Sequence, residues 1–184
     1  MYLCLSVETN GVGSFMTQTL IRVALLLTDE TGEIVLMESF FVQGAKQLNP
    51  EVVPHYTLRQ VDNGLRREDA RNHLGKRLSY VYHKGGKLVA HNLEYVLTML
   101  TQLGLYVPSG EFGQCIMKLG TDVCKLPSVH STPTPTKEYK YPKLSELAHC
   151  LLSDFDHWTR TTAEEKVFAV SQCYRKLIEI KSCE

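Results

Sequence analysis

The order in which hydrophobic periodicities change along this chain constrains its fold more than any single motif. Residues 1–8 and 17–27 are rich in apolar and β-branched side chains, and a similar run at 34–42 follows the segment Thr28-Asp29-Glu30-Thr31-Gly32. That interruption has the polar, glycine-containing composition of a hairpin turn, so three antiparallel strands are expected to open the fold. The period then lengthens. Residues 66–83 have helix-forming composition, place Leu74, Leu78 and Val81 four and three apart, and stop at Gly85-Gly86. Lys87-Leu88-Val89-Ala90 reads as a short buried strand, and Leu93, Val96, Leu97, Leu100 and Leu103 share one helical face before Gly104. Such a unit implies parallel pairing.

Cys115-Ile116-Met117 is expected to supply a last short strand, and helices are expected at 143–152 and 162–180. Between them, residues 128–137 are expected to form a mobile loop, since three hydroxyl side chains and two prolines crowd between Thr132 and Thr136. The sum is an α/β, three-layer arrangement of the ribonuclease-H-like kind, a five-stranded mixed sheet flanked by helices. With 184 residues, 43% of them hydrophobic, the chain can bury a core without disulfides or metal, so one domain over 1–184 is expected.

Charge excludes one simple class. Lysine plus arginine and aspartate plus glutamate each number 20, so no global positive field marks a nucleic-acid binder. The six cysteines form no CxxC pair and no zinc-spaced cluster; most lie in apolar stretches and read as buried reduced thiols. The chain starts in a strand-like run, with no apolar segment near 18 residues and no basic leader. The expectation is an intracellular protein, cytosolic or nuclear, with no membrane partner.

Three short segments carry a resemblance. Ser6-Val7-Glu8-Thr9-Asn10-Gly11 ends the first strand, His91-Asn92-Leu93-Glu94-Tyr95-Val96 spans a strand-to-helix junction, and Thr161 and Lys166 precede the apolar start of the last helix. In that order and spacing they resemble the motifs of the DnaQ-like DEDDh family of 3′-to-5′ exonucleases. The supporting matches are Asn49-Pro50, Val61-Asp62-Asn63-Gly64-Leu65 and the segment from Tyr139 to Leu147. The family holds two divalent metals with four acids and a histidine. Read through that resemblance, Ser6, Val96 and Lys166 stand where three of the acids belong, Thr161 stands for the histidine, and Glu8 is the acid retained. A loop insertion would instead bring Asp154, Asp156 and His157 toward the third motif.

These losses bear directly on chemistry. Two hard cations about 4 Å apart need several anionic ligands; valine supplies none, serine is a weak neutral ligand, and threonine is no general base near neutral pH. Neither Glu94, on another helical face from Val96, nor Asp154 and Asp156, on what read as solvated surface, is expected to substitute. The expected protein is therefore a catalytically inactive exonuclease-like domain that serves as a binding or scaffold subunit. No cofactor is expected; magnesium or manganese belongs only to the alternative, an active 3′-to-5′ exonuclease with an altered site. The resemblance further implies a protein partner, either a homodimer or a heterodimer with an exonuclease-like relative, and single-stranded nucleic acid as a possible ligand.

Individual residues carry paired readings. Thr9, Asn10 and Gly11 either cradle a terminal sugar or only build a turn, and His91 and Asn92 either contact a nucleotide or, for Asn92, cap the helix. Thr162-Ala163-Glu164-Glu165 has capping-box form, which puts Lys166 in a first helical turn that disfavours positive charge. Lys166 then either reaches Glu8 and occupies the vacated cation position, or points to water. The basic side chains of 66–77 and of 137–143 are either a phosphate-binding stripe or solvated helix faces.

Overall fold

The computed structural model describes residues 1–14, 17–53, 55–108, 110–128, 139–152 and 162–183. Five strands, β1 (Tyr2–Thr9), β2 (Leu20–Thr28), β3 (Ile34–Phe41), β4 (Lys87–Ala90) and β5 (Gly113–Cys115), form one mixed sheet in the order β3-β2-β1-β4-β5. β1–β2 and β2–β3 pair antiparallel, whereas β1–β4 and β4–β5 pair parallel. Asp29 explains the β2–β3 turn, because its carboxylate accepts from Thr31 N, Thr31 Oγ1 and Glu33 N.

Alternation along β1 and β2 sorts the side chains into two cores. Leu3, Leu5, Val23, Leu25 and Leu27 face α2 (Arg67–His83) and α3 (Leu93–Gln102), whose Leu74, Leu78, Val81, Met99 and Leu100 close that layer. Tyr2, Cys4, Ala24 and Leu26 face the opposite way, against α6 (Leu144–Leu151) and α7 (Ala163–Ser182), and meet Leu147, Val167, Val170, Cys173 and Leu177. The same period of two sends Ser6, Glu8 and Arg22 toward α7. Polar residues thus continue an apolar stripe at the carboxyl end of β1.

Several expectations need correction. The last strand is Gly113–Cys115 rather than 115–117, and Ile116 and Met117 instead begin the short helix α4 (Ile116–Leu119). A three-residue strand containing glycine has almost no propensity signal. Pairing to β4 creates it, and Gly113 fits because a Cβ there would lie 2.6 Å from Leu93 Cδ2. Two further short helices, α1 (Leu58–Asp62) and α5 (Thr121–Cys124), were not expected. The first had a legible signal, the Thr57/Gln60 capping box. The cysteines are not uniformly buried, since Cys150 and Cys183 are exposed. The loop expected at 128–137 lies almost wholly outside the described residues.

Gly64 offers a direct test of packing beside β3. Leu65 N donates to Phe41 O at 2.8 Å, and a Cβ on Gly64 would fall 2.5 Å from that same oxygen. Backbone cannot yield as a flexible side chain can. Gly64→Ala is expected to lose about 2 kcal/mol in urea unfolding; an unchanged midpoint would refute the close approach.

Candidate functional site

Parallel pairing of β1 and β4 places their carboxyl ends on the same edge of the sheet, where α3 follows β4 directly. The first two motif segments therefore meet at one cleft. A cavity of about 410 Å³ opens there, with Ser6, His91, Asn92, Tyr95, Val96 and Lys166 among its lining residues. Leu144 and Ser145, from the first turn of α6, form the facing wall.

Glu8, two residues beyond Ser6 on β1 and only 9% exposed, lies just before a register shift that ends regular pairing between β1 and β2. Lys166 Nζ donates to Glu8 Oε1 at 2.9 Å, so the lysine reaches the carboxylate instead of pointing to water. Local sequence explains the reach. Thr162 accepts from Glu165 N while Glu165 accepts from Thr162 N, which fixes the start of α7 and projects Lys166 from its first turn toward β1. Glu8, Glu164 and Glu165 offset the helix dipole that would otherwise disfavour this ammonium.

A second charged pair adjoins the first. Arg22 is the register partner of Glu8 on β2, and its guanidinium bonds Glu164 and donates to Tyr56 Oη at 3.0 Å and to Ser39 Oγ at 3.4 Å. Ser39 also donates to Glu164. The guanidinium carbon stands 5.0 Å and 5.1 Å from the ring centres of Phe41 and Tyr56. Burial first, and then the Glu8 carboxylate, push the Tyr56 hydroxyl well above its ordinary pKa, with Arg22 opposing. Burial alone would raise Glu164, but Ser39 and Arg22 reverse the sign and hold it below the usual carboxylate range. Glu8 Oε2, Arg22 Nε and Glu164 Oε2 are buried without hydrogen-bond partners among the described residues.

The remaining motif residues are committed to local bonds. Thr9 Oγ1 donates to Gln18 Oε1 at 2.7 Å, and Tyr95 Oη lies 3.2 Å from both. Asn10 is buried, accepts from Thr19 N and Val12 N, and donates to Gln47 O. Gly11 adopts φ +67°, and a Cβ there would lie 2.9 Å from Asn49 Cβ. Asn92 caps α3 by accepting from Tyr95 N. His91 Nε2 donates to Pro142 O at 2.9 Å; burial, opposed by this bond, lowers its pKa and keeps the ring neutral.

Substitute acids are not gathered here by the described residues. Glu94 is exposed and borders a neighbouring groove with Leu97 and Thr101. Among the described residues, no three of His, Cys, Asp and Glu converge in a metal-binding group. Thr161, Asp154, Asp156 and His157 lie outside the described residues. The residues that are described do not fit paired divalent ions: a divalent ion about 4 Å from the Lys166 ammonium would meet about 8 kcal/mol of repulsion at an effective dielectric near 20.

Four of the five basic side chains at 66–77 are bonded. At and along α2, the N-cap Arg66 binds Asp69, Arg71 binds Glu68, Arg77 binds Glu38, and Arg67 donates to Gln102 O. Lys140 likewise binds Glu146 at 2.5 Å. This favours the solvated-face reading over a bare phosphate stripe. The sequence reading missed Arg22, Ser39 and Gln18, and saw Glu164 only as part of a cap. The legible sign was an arginine inside the apolar run Leu20-Ile21-Arg22-Val23-Ala24.

A mixed five-stranded sheet with helices on both faces, and a cleft at the carboxyl ends of β1 and β4, defines an α/β exonuclease-like fold of the ribonuclease-H-like class. Solved structures match it. E. coli exonuclease I in complex with a dA16 oligonucleotide gives a TM-score of 0.72 at 12% identity, covering 97% of this chain and 40% of that one. The zinc-bound form of the E. coli exonuclease I complex with single-stranded DNA gives 0.72 at 14% identity, covering 100% and 41%. Apo exonuclease I gives 0.70 at 13%, covering 97% and 42%. At such identities the likeness establishes the fold, and the chain spans about two fifths of the length of these neighbours. Neither a protein-family model nor a curated protein matches the chain. Among the described residues, no helix is long and apolar enough to cross a membrane.

Proposed function

We propose that this chain is an exonuclease-like domain that lacks two-metal hydrolysis and works as a binding or scaffold subunit. The observation that carries this reading is the Lys166 ammonium 2.9 Å from Glu8, inside the cleft and on the retained acid. An internal cation there neutralises Glu8 and opposes entry of a metal. Single-stranded nucleic acid is one proposed ligand, supported by the open cleft and by the oligonucleotides bound to the exonuclease I neighbours. A protein partner, a second copy or an exonuclease-like relative, is proposed at the sheet edge, where β3 exposes Ile34, Val35 and Met37. An intracellular location, cytosolic or nuclear, goes with this reading.

End-labelled single-stranded DNA and RNA, incubated with the protein and Mg²⁺ or Mn²⁺, provide the test. No nucleotide release above blank is expected, and Glu8→Gln should change nothing. Metal-dependent release that disappears in Glu8→Gln would establish the active alternative instead. Anisotropy titrations on the same strands should give salt-dependent binding if nucleic acid is the ligand.

A further inference from the structure

The two halves of the Glu8–Lys166 pair are presented to the cleft unequally. Glu8 is 9% exposed and its free Oε2 is buried, whereas the Lys166 side chain keeps 32% of its surface open and lines the cavity. The cation faces the cleft and the anion lies behind it. No aspartate or glutamate stands among the described residues that line the cavity. His91 is neutral and spends Nε2 on Pro142 O, so it adds no charge. The ammonium has three protons and gives one to Glu8, which leaves two for a ligand. Helix ends reinforce the same sign. Asn92, the N-cap of α3, and Leu144 and Ser145, the first two residues of α6, all line this cavity. Two helix N-termini thus border the space that Lys166 faces, and first-turn amides have no acceptor within their own helix. Ser6 and Ser145 add hydroxyl groups.

We propose that the cleft is a metal-free site for a phosphate monoester carried on a nucleoside, its charge met by the Lys166 ammonium and the two helix ends. This rests on the nucleic-acid reading above and narrows it, from strands in general to phosphorylated strand ends and mononucleotides. Charge makes the distinction. A monoester brings nearly two negative charges and three terminal oxygens, whereas an internal phosphodiester brings one charge and two such oxygens. The cleft offers donors and a cation in place of the carboxylates that would hold metal, so the ligand with the denser charge is the better complement. Apolar side chains supply the rest of the lining, with Val96 and Val170 beside the Tyr95 ring, and they suit a sugar and base. A volume of about 410 Å³ is on the scale of a small-molecule pocket.

Calorimetric titration of the folded chain in chelator reads the outcome, with thymidine, thymidine 3′-monophosphate, the methyl ester of that monophosphate and inorganic phosphate as probes. The monophosphate should bind about tenfold or more tighter than thymidine or inorganic phosphate, with the methyl ester between. Oligothymidylates ending in a 3′-phosphate or a 3′-hydroxyl then separate the sources. A phosphorylated strand that outbinds the mononucleotide marks a strand end as the ligand; the reverse marks the free nucleotide, and either retains the site. Lys166→Met should weaken the monophosphate about tenfold, and Lys176→Met, ten residues further along α7, should leave it unchanged. Thymidine or inorganic phosphate binding as tightly as the monophosphate, no binding of any probe, or binding only with Mg²⁺, overturns the site. Strands that bind equally with either end would overturn it and leave the nucleic-acid reading standing; strands that fail altogether would remove that reading as well. Because the probe series uses the unaltered chain, the folding of Lys166→Met does not decide the answer.

Discussion

Replacing Arg22 by methionine is expected to remove about 3–4 kcal/mol of stability, lowering the melting temperature by about 6–16 °C for a chain of this size. The arginine side chain is 13% exposed and provides charge to Glu164, donors to Tyr56 and Ser39, and a cation between two rings. Methionine retains the apolar stem and deletes all three. What remains is a carboxylate with one buried oxygen already unpartnered, now without its counter-charge. Glu164 is 32% exposed, which screens part of the loss and places the expectation below that for a fully buried pair. Arg22→Lys should fall between, since an ammonium keeps the charge and loses the planar fork.

The pH dependence has a definite sign. Glu164 is held below its ordinary carboxylate pKa in the fold, so its stabilising contribution is fully present above the unfolded value near 4.3 and is lost as pH falls through the folded value. The gap between wild type and Arg22→Met should be widest near neutrality and narrow in acid. A gap constant down to pH 3 would mean that the ion pair contributes nothing and packing everything.

Introducing three acids should produce the second large effect. In Ser6→Asp/Val96→Asp/Lys166→Asp, four carboxylates crowd a cavity that lacks the Lys166 ammonium, and the variant in chelator should be markedly less stable than wild type. Mn²⁺ should then rescue it, because a ligand bound to the folded state at 100 times its dissociation constant contributes about 2.7 kcal/mol. Wild type should show no Mn²⁺-dependent shift. A shift in wild type of similar size would mean that other acids already hold the ion, and the Lys166 argument would fail.

Most of this organisation was legible along the chain, for identifiable reasons. Long elements with clear periods, such as α2, α3 and α7, declare themselves because amphipathic spacing repeats over several turns. β5 did not, because three residues containing glycine leave pairing with β4 as the only determinant. In the cleft, the cap that fixes where α7 begins put Lys166 in the first helical turn, and reaching Glu8 stood as one of two readings that only the fold decides. The Arg22–Glu164 pair did not follow, since it needs the relative placement of β2 and α7, which 142 residues of sequence separation conceal. Asn10 shows a different limit: as a turn residue it was readable, but only the fold reveals that its amide bonds both Thr19 and Gln47.

Glu8 and Lys166 are 158 positions apart, and Arg22 waits nearly as long for Glu164. During synthesis the first hairpin therefore emerges with both of its charged side chains deprived of their eventual counter-ions. Glu8 and Arg22 are opposite one another in the β1–β2 ladder and can neutralise each other in the interim. Arrival of the carboxyl-terminal helix then exchanges one provisional pair for two permanent ones, which makes its docking the step that sets the final electrostatics of the nascent chain.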